Sequence, residues 1–158
     1  MNLDLLLGSG MMVVCMTIQC VVVALLLRGL HALESRHLIR SGIVPASALL
    51  IAVLLILFAS NLLQIALWSG LFLAFGEFDD LNTAFYHSMV NFSTLGYGDL
   101  VMSSERRLLG AFEAANGVMM LGLSTSVLYW LVGALSRRGW QRMDDEGTSA
   151  DRADSIKQ

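Results

Sequence analysis

The sequence predicts an all-α membrane protein of three transmembrane helices with one re-entrant segment. Three observations carry that expectation. Of 158 residues, 56% are hydrophobic and 15% charged, with mean hydropathy +0.66; a soluble domain devotes roughly a quarter of its residues to charge. Charge is absent from residues 5–27, 41–76 and 114–136, runs of 23, 36 and 23 residues, and roughly 20 apolar residues suffice to cross a bilayer as a helix. A fourth uncharged stretch, Leu81 to Gly98, carries Asn82, Thr83, His87, Ser88, Asn91, Ser93 and Thr94 and ends in glycines. Backbone of that kind survives at membrane depth only when protein shields it, so it is expected to dip in and return.

These numbers exclude a soluble cytoplasmic protein and a secreted disulfide scaffold. A net charge of −3, with Arg106-Arg107 and Arg137-Arg138 as the basic pairs, leaves no reason to expect a nucleic-acid partner. No Ser/His/Asp or Cys/His arrangement suggests an enzyme, His31, His37 and His87 lack ligand-like spacing, and no cofactor is expected.

The first transmembrane helix is placed within residues 1–28, from about residue 10 onward. Its start, Met1-Asn2-Leu3-Asp4, has no basic residue, so it reads as a retained span rather than a cleaved leader. Cys15 and Cys20 are five positions apart, hence on different helix faces, and read as ordinary thiols. Residues 29–44 mix Leu30, Leu33, Leu38 and Ile39 with Arg36, His37 and Arg40, the pattern of a short amphipathic helix in the interface. Ser41-Gly42 breaks it, and Pro45 suits a first helical position. A unit of residues 45–136 follows: a long helix 45–75, a short helix 81–92 capped by Asp79 or Asp80, a returning segment 94–99, and a helix 107–135. Residues 137–158 are expected to be an irregular polar tail, too short for a nucleotide- or calcium-binding regulatory domain.

Basic residues near span ends collect on the cytoplasmic side. With three spans and the N-terminus outside, six of Arg28, Arg36, Arg40, Arg106, Arg107, Arg137, Arg138 and Arg142 lie inside and two outside. With four spans the division falls to five and three. Three spans fit better, with the C-terminus cytoplasmic. A prokaryotic inner membrane is the expected location.

The returning segment reads Ser93-Thr94-Leu95-Gly96-Tyr97-Gly98-Asp99. Glycines at alternate positions permit backbone angles that other residues resist, so successive carbonyls can turn toward one line. A row of carbonyl oxygens on an axis replaces the hydration shell of a cation. One chain supplies one wall of such a path, so several copies are required. The negative end of the preceding helix, aimed into the membrane, also favours a cation.

Thr94-Leu95-Gly96-Tyr97-Gly98-Asp99 resembles the selectivity-filter signature of potassium channels, usually Thr-Val-Gly-Tyr-Gly-Asp. The resemblance extends over about residues 46–135 in the order helix, re-entrant helix, filter, helix. It implies a homotetramer in the lipid bilayer with a K⁺ path on its fourfold axis. The carbonyls of Thr94, Leu95, Gly96 and Tyr97, with the Thr94 hydroxyl, would hold the ions. Phe85-Tyr86-His87-Ser88 occupies the place of an aromatic cuff, Gly117 that of an inner-helix hinge glycine, and Gly122 that of a second small residue. His87, Ser93 and Glu113 are the expected filter supports.

Three positions depart from the pattern. Leu95 replaces Val or Ile, and selectivity is expected to survive. Val90 stands where some bacterial members carry a supporting glutamate, and His87 replaces an aromatic, either donating to Tyr97 or filling space. Glu113 supports the filter, faces Asn61 and Gln64, or reaches hydrated interface; Asn116 points into a cavity or bonds between helices. No span carries Arg or Lys at every third position, so no voltage sensor is expected. Closure is expected lower on the inner helix, where Leu128, Leu131 or Val132 converge. A weakly selective cation channel and a non-conducting subunit of a larger complex are the other classes carried.

Overall fold

The computed structural model describes residues 2–35 and 43–156, with side-chain environments for 3–33 and 44–137. Four helices follow in order: α1 (Asn2–Ser35), α2 (Ile43–Ala74), α3 (Leu81–Phe92) and α4 (Arg107–Ile156). Three of them contain apolar stretches of 31 residues, Leu3–Leu33, Val44–Ala74 and Arg107–Arg137. Such a stretch is about 46 Å long at 1.5 Å per residue, longer than a hydrocarbon core of about 30 Å, an excess that tilting, kinking or a locally thicker bilayer accommodates. The chain is a multi-pass membrane protein.

Several boundaries differ from expectation. α1 runs on through Ser35, so Leu30 is buried with α2 and α4 residues instead of lying in an interfacial connector; residues 36–42 of that connector lie outside the described residues. α2 begins at Ile43, which puts Pro45 in its first turn but not first in it; amides there lack helical partners, so proline costs little. α4 remains helical to Ile156 where an irregular tail was expected. Extending a nucleated helix is easy, and no proline follows Pro45.

α2 ends in a Schellman motif. Gly76, at φ +70°, donates to the Leu73 carbonyl at 3.0 Å, and Glu77 donates to that of Phe72 at 3.1 Å. α3 starts on Asp80, whose carboxylate accepts from the Thr83 amide at 2.9 Å and the Thr83 hydroxyl at 2.6 Å. These hydrogen bonds hold the Asp80 carboxyl below its ordinary value. The sequence left Asp79 and Asp80 as alternatives; Asp80 is the cap.

α3 lies against both α2 and α4, and α1 packs against the same two helices. Two apolar cores result. One surrounds Cys15, Ile65, Trp68, Phe92, Leu109 and Met120 and includes the end of α3. The other joins Leu30, Val53, Leu57, Val127 and Leu131 from the spans alone. Between them lies a buried polar layer. Gln19 Oε1 accepts from Ser60 Oγ at 2.7 Å and Gln64 Nε2 at 2.8 Å, while Gln19 Nε2 donates to Ser124 Oγ at 3.1 Å. Asn116 Nδ2 reaches Gln64 Oε1 at 3.5 Å, so Asn116 serves between helices. In lipid such groups must pair within the protein, which makes Gln19 a polar tie between α1 and the other spans. Cys15 is buried and Cys20 exposed, as their spacing requires.

Candidate functional site

The last turn of α3 is closed by the hydrogen-bond pattern that ends α2. Thr94 N donates to the Asn91 carbonyl at 2.9 Å and Leu95 N to that of Val90 at 3.0 Å. The left-handed residue in this second Schellman pattern is Thr94, at φ +59°. A β-branched side chain is strained there, so the chain enters the loop in a conformation glycine would adopt more easily.

Left-handed backbone then recurs at Gly96, φ +59°, and Gly98, φ +74°. Among the described residues Thr94 is the sole non-glycine with positive φ, so Leu95 and Tyr97 alternate with these three in the opposite sense. In a strand of uniform handedness neighbouring carbonyls point to opposite sides. Alternating handedness reverses every second peptide, which allows consecutive carbonyls to face one side. The Thr94 hydroxyl donates to the Ser93 carbonyl at 2.7 Å, which leaves its lone pairs available to a cation.

The loop stands clear of the rest of the chain. Residues 93–99 are exposed, Tyr97 at 66%, and nothing lies within 4 Å of where a side chain would begin at Gly96 or Gly98. A cavity of about 500 Å³ flanks it, lined by His87, Val90, Gly98, Asp99, Met102 and Gly110 among others.

Hydrogen bonds from α3 hold the outgoing segment. Tyr86 donates its hydroxyl to Asp99 Oδ2 at 2.8 Å. That acceptor raises the phenol above its ordinary range, since ionised Tyr86 would lose the bond and face a carboxylate. His87 Nδ1 lies 3.2 Å from the Leu100 carbonyl, and its ring packs against Phe78 and Phe72. Within the chain His87 therefore pairs with Leu100, not Tyr97. Beyond that segment, Glu77 accepts from the Ser103 amide and hydroxyl, each at 2.8 Å, and pairs with Arg106 at 3.5 Å. Arg106 also sits 4.1 Å over the Phe75 ring. This clasp ties the ends of α2 and α4 together, and no local motif announced it.

Glu113 is fully buried behind α3. Its carboxyl is in hydrogen-bond contact with Ser88 Oγ and accepts from Asn91 Nδ2 at 2.8 Å. It faces the short helix rather than Asn61 and Gln64. Ser93, the other expected support, is exposed and donates its hydroxyl to the Val90 carbonyl at 3.1 Å. Gly117 is buried where α4 crosses the end of α3: a side chain there would overlap the Phe92 carbonyl. Gly122 is exposed with open space beside it.

On the rest of α4, Leu131 is buried in the second core and Leu128 packs against it. Neither is free to converge on an axis, and of the three expected closure residues only Val132 remains exposed. The exposed face instead carries Ala115, Val118, Gly122, Thr125, Tyr129 and Val132, at alternating steps of three and four. Tyr129, which sequence reasoning passed over, is 83% exposed; its helical spacing from Gly122 and Thr125 was the available signal. Ser124 is buried on Gln19, whereas Thr125 and Ser126 turn back to carbonyls of their own helix.

Residues 48–132 match the model of a family described as ion channel. No curated protein and no solved structure matches the chain.

Proposed function

We propose, from the premise that this chain belongs to the ion channel family, that it is a potassium-selective channel working passively as a homotetramer. An ion channel family is not a family of enzymes, and nothing in this reading requires catalysis. The carrying observation is the alternation of left-handed backbone at Thr94, Gly96 and Gly98 within Thr94–Asp99. It supports a wall of inward carbonyls from Thr94, Leu95, Gly96 and Tyr97, with the Thr94 hydroxyl at the inner end. Four such walls replace the water that K⁺ sheds. The exposure of residues 93–99 in one protomer supports assembly, because irregular backbone at membrane depth must be shielded by further protein.

In this reading α4 lines the path below the filter. Its exposed face, from Ala115 to Val132, turns to the axis, and Tyr129 and Val132 form the narrowing. Bending at Gly117 and Gly122 opens it. The filter mouth faces outside, the N-terminus is outside, and the C-terminus is in the cytoplasm of a prokaryotic cell, as the placement of basic residues favours. The spans lack a ladder of arginines, so opening does not depend on a voltage sensor.

The test is flux through purified protein in liposomes, with bi-ionic reversal potentials for K⁺ against Na⁺. K⁺ flux with a strong preference over Na⁺ is expected, and Leu95→Val should keep it. Equal permeation would make the chain a weakly selective cation channel, and no flux a non-conducting subunit.

A further inference from the structure

We infer that Glu113 is held as a neutral carboxylic acid that donates its proton to Ser88, and that this bond locks the pore helix α3 between α2 and α4. Ser88 Oγ has a single hydrogen and two oxygen neighbours, the Ile65 carbonyl of α2 at 3.0 Å and Glu113 Oε1 of α4. A carbonyl only accepts. If the Ser88 hydrogen goes to Ile65, the contact with Glu113 is a hydrogen bond only when Glu113 supplies the proton. If it goes instead to an ionised Glu113, two oxygens are left facing one another at the Ile65 carbonyl without a hydrogen between them.

The other carboxyl oxygen closes the count. Asn91 Nδ2 has two hydrogens, one directed to the Gly110 carbonyl at 2.7 Å and one to Glu113 Oε2 at 2.8 Å. Every hydrogen in the cluster is then used once, with Glu113 as donor at Oε1 and acceptor at Oε2.

The surroundings supply no charge to balance an anion. Ser88, Glu113 and Asn116 are each 0% exposed, and no Lys, Arg or His pairs with Glu113 among the described residues. The titratable group facing it from α1 is the Cys15 thiol; α2 presents Ile65, and α3 presents Ser88 and Asn91. A buried carboxylate without a cation is unstable relative to its neutral form. Ser88 and Asn91 sit three residues apart on one face of α3, just before the turn into Thr94. Glu113 is thus a positioning residue for the filter, acting through α3.

The test is infrared spectroscopy of the full chain in liposomes at pH 7, wild type minus Glu113→Gln. A protonated-carboxyl band present in wild type and absent in the variant is expected. A difference spectrum with only carboxylate bands would overturn the inference. Carboxyl ¹³C NMR of glutamate-labelled wild type makes the same distinction without any variant. Glutamine also donates to Ser88 and accepts from Asn91, so Glu113→Gln should retain the wild-type K⁺ to Na⁺ permeability ratio. Glu113→Ala, which can do neither, should lose it; a Glu113→Gln variant that folds yet fails like Glu113→Ala would refute the donor role. The spectroscopic result does not depend on whether the wild type selects K⁺, so the two readings fail separately.

Discussion

Gly117 of α4 lies directly against the carbonyl of Phe92, the last residue of α3, with no room for a side chain. The inner-helix position expected to bend is therefore also a packing contact with the helix that carries the filter loop. Gly122 has open space around it, so a methyl group added there tests bending without a packing clash.

Gly117→Ala is expected to destabilise the protein, because the methyl group meets backbone rather than a movable side chain. Overpacking of this kind costs about 1–3 kcal/mol. Gly122→Ala meets nothing and should stiffen the helix by about 1 kcal/mol. Thermal unfolding of both variants, with single-channel open times for Gly122→Ala, checks this. Unchanged gating in Gly122→Ala would remove it as a hinge.

Thr94→Gly should raise thermal stability in K⁺-free buffer, because it relieves a left-handed β-branched residue, a strain of about 1–2 kcal/mol. The same change deletes the hydroxyl proposed to face the ion, so K⁺ preference should fall. Melting curves and reversal potentials measured on one preparation check the opposite signs.

Gln19→Leu should detach α1 from the polar layer. Three hydrogen bonds disappear, leaving Ser60, Gln64 and Ser124 to find other partners inside lipid. At about 0.6 kcal/mol for an average bond of this kind, the loss is about 2 kcal/mol. Val21→Leu, on an exposed part of α1, should be neutral in the same denaturant titration.

Asp80 gives a pH dependence with a defined sign. Its folded value is depressed by the Thr83 bonds. Its contribution is therefore complete above the unfolded value of about 4 and is lost as pH falls through the folded one. Asp80→Asn keeps an acceptor for the cap without the charge, so its stability should respond less to acid below about pH 4. Equal acid sensitivity in both proteins would show that the cap does not carry it.

Local chemistry was readable along the chain. The spans, the end of α2 within one residue of Phe75, the limits of α3 at Leu81 and Phe92, and the start of α4 at Arg107 all follow from charge, caps and turn residues. So did the glycine pattern of the filter segment. What escaped were choices between faces. Leu128 and Leu131 could not be told from Val132, and Glu113 could not be assigned to Ser88 and Asn91 over Asn61 and Gln64. Thr94 in a left-handed turn was not legible either, since threonine does not favour it.

The number of crossings and the place of the returning loop were written in where charge stops and starts, because a bilayer penalises each charge wherever it falls along a helix. Which side of each span meets protein, and which polar atom meets which, came from packing three helices apolar nearly all round. Such helices carry no stripe to orient them, so their rotation is set by distant partners: Gln19 on Ser60 and Ser124, Gly117 on Phe92, Glu113 on α3.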